Sequence, residues 1–524
     1  MRNLELTSLY RSINLFMMSK AERSEDRVAK NTIFLYMRMV IVLIVNLYTS
    51  RIVLSTIGVE NYGIYDLVGG VVALFTFMNA SLSGATSRFM SYSLGKQDNS
   101  SHSLFSTIIS IHIMVAVVVV IVAETIGLFL IDNLVIPENR VWAAKITFHL
   151  SVAATAVSIM RLPYNASIIA HEDMKVYAYV SVLEVFMKLV IVYMLTIFAF
   201  DKLIVYSSLV LTVAVVISLF YVIYCLKSYS ETRTFWGYEK GYFKMILSFF
   251  SWDLYGNMSV VANAQGTNMV LNLFGGVTVN AACSIANQVR AAVSGFASNF
   301  MLAMNPQIIK NYASGNLEVM NRLMIKGGLL SFSLLWIISL PLILEVDYVL
   351  SIWLVEVPEH TGWFLRLALI FSLIQTMYSS VNIGIHATGN IKRLSFIGGT
   401  ILLLSVFISY IIMTMCDFVY MPFIVNIGAI ILSAIVNVVI LHSEMEEFLI
   451  LKYVRHVFVK CIIICLLTLP IPYLIHSILE ESFLRFLAVG SVSVVVVSIT
   501  VFYMALDREM RNLVLDKFKK MCGK

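Results

Sequence analysis

Residues able to bind ions and polar groups recur inside stretches that are otherwise apolar, at helical spacing. At 100° per residue, Asp253, Asn257, Gln265, Asn268 and Asn272 share roughly a 120° stripe of one helix. Asn280, Ser284, Asn287, Ser294, Ser298 and Asn305 form a narrower stripe just beyond it, with Arg290 at the edge. Thr76, Asn79, Ser83 and Thr86 share a face of an earlier segment, and Arg38, Asn46, Thr49 and Ser50 belong to the first one. Ionisable groups also stand amid apolar sequence at Glu124, Glu184 and Lys188. Serine and threonine stripes commonly serve only as hydrogen-bonding glue between membrane helices. Carboxamides at this density, with guanidinium and carboxylate groups among them, call for water or a polar ligand. A charge at mid-bilayer costs about 2.5–3.5 kcal/mol on insertion scales. Glu184 and Lys188, four apart on one helix, have a simpler reading as an ion pair.

The elements that carry these groups are membrane spans. Of the 524 residues 59% are hydrophobic and 13% charged, with mean hydropathy +0.87. Soluble domains carry about 25% charged residues. Apolar runs of about 20 residues, enough for a hydrocarbon core of about 30 Å, recur along nearly the whole chain. The fold class is all-α and polytopic, with about 14 transmembrane helices counted from apolar windows. Spans one and two fall near 32–54 and 63–92, and spans seven and eight near 244–273 and 279–308. The organisation expected is a cytoplasmic N-terminal segment over 1–30, an N-lobe over 31–226, a cytoplasmic linker over 227–243, a C-lobe over 244–443, appended helices over 444–506 and a cytoplasmic tail over 507–524. No cleavage pattern follows the basic N-terminus, so the first span reads as an uncleaved anchor.

Charge placement sets the orientation. Most of the 37 lysines and arginines fall on the side of the N-terminus, whereas Arg51, Arg140, Lys145, Lys202 and Arg485 fall opposite. Both termini are therefore expected inside the cytoplasmic membrane. The net charge of +6 is a topology signal and implies no nucleic-acid partner. The six cysteines contain no C-x-x-C pair, no metal site is expected, and no G-x-x-x-x-G-K-[ST] loop offers ATP hydrolysis. Shifting the chain by six spans brings "LSTIGVENYG" (54–63) onto "LNLFGGVTVN" (271–280), with Gly58-Val59 meeting Gly276-Val277. An even-span offset gives two halves of like orientation. The stripes of spans one, two, seven and eight are expected to surround a hydrated cavity.

The segment "SRIVLSTIGVENYGIYDLVGGVVALFTFMNASLSGATSRFMSYSLG" carries R-x-x-L-x-x-x-G-x-x-x-Y-G-x-Y and a later Ser/Thr-rich stretch with Arg88. It resembles the N-terminal signature of bacterial polysaccharide flippases, the Wzx-type O-antigen and capsule repeat-unit translocases of the multidrug/oligosaccharidyl-lipid/polysaccharide (MOP) exporter superfamily. The resemblance implies a MATE-like two-lobe bundle in a bacterial inner membrane. The implied transporter is not an enzyme and needs no cofactor, with coupling to a proton or sodium gradient. Its implied substrate is an undecaprenyl-diphosphate-linked oligosaccharide, and its implied partners are membrane lipids, a polysaccharide polymerase and a chain-length regulator. On that reading Arg38, Lys188 and Arg290 meet the anionic headgroup. Asn79, Asp253, Asn257, Asn268 and Asn287 line the polar path, and Arg51, Asp66, Arg88, Glu124 and His149 gate it or couple an ion. The close alternative is a multidrug/cation antiporter of the same superfamily, which favours an aromatic, acidic cavity. A polysaccharide polymerase or ligase is the enzyme alternative, and it calls for a larger outward loop than the sequence offers.

Overall fold

The computed structural model describes residues 30–46, 48–49, 52, 56, 64–65, 76–96, 101–129, 137–195, 200–233, 237–354, 357–416, 418–506 and 511. Regular structure among them is entirely helical. The chain divides into two compact units, Met1–Asn257 with Ile309–Gly315, and Met258–Ile308 with Asn316–Lys524.

In the first unit the helices are α1 (30–46), α2 (Thr76–Lys96), α3 (Ser101–Val122), α4 (Val141–Ala170), α5 (Met174–Met194) and α6 (Lys202–Ser228). A π-helical turn, Ala123–Gly127, continues α3. Asp201 starts α6 by accepting from the Leu203 and Ile204 backbone N–H groups, which satisfies donors that a helix start leaves open. The same carboxylate holds Arg140. Ala144, Phe148 and Val152 of α4 and Leu203 of α6 pack into one buried cluster.

The turn between α4 and α5 is rich in charge. Glu172, at φ 63°, is buried and accepts from Lys310 at 2.5 Å. The His171 ring stacks on Tyr229 at 4.0 Å and bonds Glu231 at 2.6 Å. Burial would raise the Glu231 carboxyl. The His171 hydrogen bond, the residue's own backbone N–H and the neighbouring His171 and His102 outweigh burial and hold it below the usual carboxylate range.

Helix α7 (Lys240–Ala313) runs 74 residues with one non-helical residue, Gly276, at φ 74° and ψ −171°. A straight helix would place residues 253 and 310 about 85 Å apart. Yet both lie against α2. A methyl group on Gly84 would stand 3.5 Å from the Asp253 carboxylate, and one on Gly95 only 2.8 Å from the Lys310 backbone. The chain therefore doubles back, and Gly276 is where it does so without a loop. That backbone region is open essentially to glycine alone. No atom lies within 4 Å of a methyl group built at Gly276, so the cost of a side chain is purely conformational. Gly276→Ala should lower the unfolding free energy by about 1–3 kcal/mol. Gly428→Ala, in a helix interior with equally open space, should raise it by about 0.5–1 kcal/mol. Thermal unfolding of the two purified variants beside the parent checks the contrast in sign.

The second unit contains α8 (Leu317–Leu344), α9 (Val346–Trp353), α10 (Thr361–Thr388), α11 (Gly399–Met413) and α12 (Met421–Glu444). A last group follows: α13 (Ile450–Val454), α14 (Lys460–Thr468), α15 (Pro470–Ile478) and α16 (Phe483–Met504). A π-helical turn, Arg455–Val459, joins α13 to α14. Phe332, Leu335, Phe364, Leu365, Val381, Ile385 and Leu441 are fully buried between α8, α10 and α12. The last group is tied on by polar contacts. Trp336 donates to Thr468 at 2.9 Å. Glu345, whose side chain is wholly buried, accepts from His476 at 2.8 Å and from Arg485 at 2.9 Å.

Ten helices among the described residues are long and apolar enough to cross a membrane, not the fourteen expected. Spans one and two lie partly outside the described residues. Spans seven and eight are one polar-striped helix whose reversal needs no loop. A count by apolar length among the described residues therefore leaves out those four expected spans.

Candidate functional site

One face of α2 and one face of α7 create a buried polar site in the first unit. Ser81, Gly84 and Arg88 lie at i, i+3 and i+7 on α2, and Phe249, Asp253 and Asn257 at successive i+4 steps on α7, so each set shares a face. Asp253 is buried, at 8% exposure, and Ser81 is fully buried. The Asn257 carboxamide donates to the Asp253 carboxylate at 3.0 Å, and its nitrogen lies 3.0 Å from the Ser81 hydroxyl and from the Asp253 carbonyl. The carboxylate faces α2 at Gly84, where a methyl group would stand 3.5 Å from it, an ordinary contact. One helical turn on, the Arg88 guanidinium sits over three rings: Phe89 at 4.5 Å, Tyr92 at 4.8 Å and Phe249 at 5.7 Å. The result is a buried carboxylate with a carboxamide and a hydroxyl beside it, closed at one end by a cation in an aromatic box. Such a set can exchange a proton or a small cation, because only the carboxyl needs to change charge. Asn79, also on α2, has its side-chain oxygen buried with no hydrogen-bond partner.

The remaining expected residues of this unit take other places. Arg38 lies 4.6 Å above the Tyr177 ring. Lys188 is held by Glu184 at 2.9 Å, and Arg161 reaches the same carboxylate at 3.1 Å. Arg161 thus completes a three-residue ion cluster. Glu124, in the π-helical turn after α3, meets His149 at 2.8 Å. Arg51 and Asp66 lie outside the described residues, as do Gly58, Gly63, Gly69 and Gly70.

In the second unit, three expected residues form a relay along the two limbs of α7. Arg290 donates to the Asn287 carbonyl oxygen at 3.2 Å. Asn287 donates to the Cys283 sulfur at 3.3 Å, and Cys283 to the Asn268 oxygen at 3.4 Å. The Arg290 guanidinium lies 5.7 Å from the Phe371 ring, and Ser294 bonds Ser372 at 3.1 Å. A second polar cluster was not anticipated. Asn263 donates to Ser405 at 2.8 Å and lies 2.9 Å from the Asn426 oxygen, and Asn426 donates to Thr267 at 3.0 Å. Asn263 and Thr267 are four apart on α7, which is the one local signal that could have flagged them. No group of three His, Cys, Asp or Glu residues arranged for a metal occurs among the described residues.

No protein-family model matches the sequence, and no curated protein matches it. Solved structures do. A MATE family multidrug resistance transporter of the MOP superfamily, in its outward-facing conformation, superimposes with TM-score 0.70 at 16% identity, over 81% of this chain and 96% of the other. A MATE protein in a straight conformation gives 0.69 at 16%, over 81% and 97%. A MOP superfamily transporter from Pyrococcus furiosus, described as having a binding pocket of reversed polarity that suggests a different function, gives 0.66 at 15%, over 80% and 96%. The fold is thus that of a multi-pass, all-α MATE-type membrane transporter. The expectation of a polysaccharide repeat-unit flippase is corrected by these likenesses, since the similar structures are described as MATE and MOP superfamily transporters. The headgroup roles of Arg38, Lys188 and Arg290, and the polymerase and chain-length partners, lose their basis with it.

Proposed function

We propose that the chain is a cation-coupled antiporter that exports an organic cation in exchange for protons or sodium ions. The observation that carries this reading is Asp253: a carboxylate buried in a polar stripe of a membrane helix, beside the Asn257 carboxamide and the Ser81 hydroxyl. An intramembrane carboxyl is costly unless its charge is used. Cycling between a cation-loaded and an empty state uses it. The likeness in fold to a multidrug resistance MATE transporter supports the same class of activity.

The test is export of tetraphenylphosphonium from vesicles reconstituted with the purified protein, under an imposed pH gradient or an imposed sodium gradient. Gradient-driven movement above that of empty vesicles is expected with at least one of the two ions. Equal, gradient-independent leakage in both would sink the proposal. A second reading, an anionic organic solute, is favoured by Arg290 and its donor relay in the second unit. Running the same assay with an anionic dye separates the two.

A further inference from the structure

At the end of the second unit where α8 begins, α13 and α14 begin and α16 finishes, there is a cavity of about 560 Å³. Its charged lining is Arg322 and Lys326 from α8, Lys452 and Lys460 from the α13–α14 segment, and His456 from the π-helical turn between them. Against these stand two carboxylates, Glu318 and Glu447. Glu318 is only loosely associated with Arg322, at 4.0 Å, and both are exposed.

The lining also includes the aliphatic residues Leu317, Ile325 and Leu329. The cavity is therefore amphipathic, with basic and hydrocarbon groups side by side. Three of the helices that wall it belong to segments long and apolar enough to cross the membrane. The adjoining surface offers Leu451, Val459 and Ile462, all exposed, as acyl chains would require.

Its walls are fixed. Gly328 of α8 allows the Tyr453 hydroxyl so near that a methyl group there would stand 2.7 Å from it. That hydroxyl is anchored to Ser380 at 2.9 Å and to the Met377 carbonyl at 2.8 Å. The π-helical turn adds a second observation, since such turns recur at ligand sites. Here it places His456, whose Nδ1 bonds the Lys452 carbonyl at 2.8 Å, in the cavity lining.

We propose that this cavity binds the phosphate of an anionic membrane lipid. Basic pockets between the ends of membrane helices select anionic head groups by charge, while the aliphatic residues take the glycerol and first methylenes. None of the lining residues belongs to the Asp253 site.

The test uses the full-length protein in nanodiscs, with native mass spectrometry and thermal unfolding as readouts, and phosphatidylglycerol, phosphatidylcholine and inorganic phosphate as probes. Phosphatidylglycerol should bind and stabilise, and phosphatidylcholine should not. Each cation near a membrane surface is worth about a fivefold change in affinity. Arg322→Gln with Lys452→Gln should therefore weaken phosphatidylglycerol binding about twentyfold, and Arg322→Lys with Lys452→Arg should restore it. The unfolding midpoint of the double glutamine variant in phosphatidylcholine alone establishes that it is folded. Should it not be, Lys452→Gln alone serves, with about a fivefold loss expected. Equal retention of the two lipids, or undiminished phosphatidylglycerol binding by the folded variant, would overturn the site. Competition by millimolar inorganic phosphate at full strength would overturn the lipid source.

Discussion

Replacing Asp253 with Asn is expected to reduce gradient-driven exchange to the level of empty vesicles while leaving the protein folded. Asparagine has nearly the shape of aspartate, and its side-chain oxygen can still accept from Asn257, as the carboxylate does at 3.0 Å. What it cannot do is take up or release a cation. The change also removes a buried charge, so stability should hold or rise. That separation is what makes the test informative: lost transport with an unchanged or higher unfolding midpoint marks a coupling group. Asp253→Glu should retain part of the exchange, because the charge persists but Gly84 leaves only a 3.5 Å approach on that side. Asn257→Ala should raise the ion concentration needed for half-maximal rate without abolishing exchange. The rate measured in vesicles at equal protein content decides it. Asp253→Asn exporting at the parental rate would remove the site from the mechanism.

The second large effect is on stability. Glu345→Gln is expected to cost about 3–5 kcal/mol, the usual result of removing one partner from a buried ion pair. The Glu345 side chain is wholly buried, and Arg485, which donates two guanidinium hydrogen bonds to one of its oxygens, is itself 12% exposed. A neutral amide leaves that largely buried guanidinium with only the exposed Glu481 carboxylate, at 3.9 Å, as counter-charge. The triple replacement of Glu345, His476 and Arg485 by Leu should be more stable than Glu345→Gln alone, since apolar packing substitutes well for a buried ion cluster. Unfolding midpoints in one detergent rank the variants, and a neutral Glu345→Gln would refute the argument.

How far the molecule can be read from its residues depends on the range of the interaction. The membrane class follows from composition, a property summed over the whole chain. The Glu184–Lys188 pair follows from a four-residue step on one helix, and the structure has it at 2.9 Å. Glu345 has no basic residue three or four positions away. Its partners lie 131 and 140 residues away, and nothing periodic connects them. Asn426 meets Asn263 and Thr267 across a similar gap, which no local spacing signals. The cargo was misread for another reason. Apart from one arginine, the N-terminal motif is glycine, tyrosine and leucine, residue types that offer little charge with which to select a cargo.

The reversal at Gly276 bears on how the protein is made. Loops between successive spans ordinarily carry polar backbone and side chains that must be drawn through the hydrocarbon layer during synthesis, each unsatisfied group at a cost of several kcal/mol. Here the two limbs of α7 turn over at a single residue whose neighbours stay helical, so almost no loop needs translocation. The pair can enter the bilayer together as a hairpin. Its orientation is then dictated from its base, where Lys240, Lys244 and Lys310 are found, and not by any signal at its tip. Biogenesis of this segment should consequently be insensitive to charge added near residue 276 and sensitive to charge removed at 240–244.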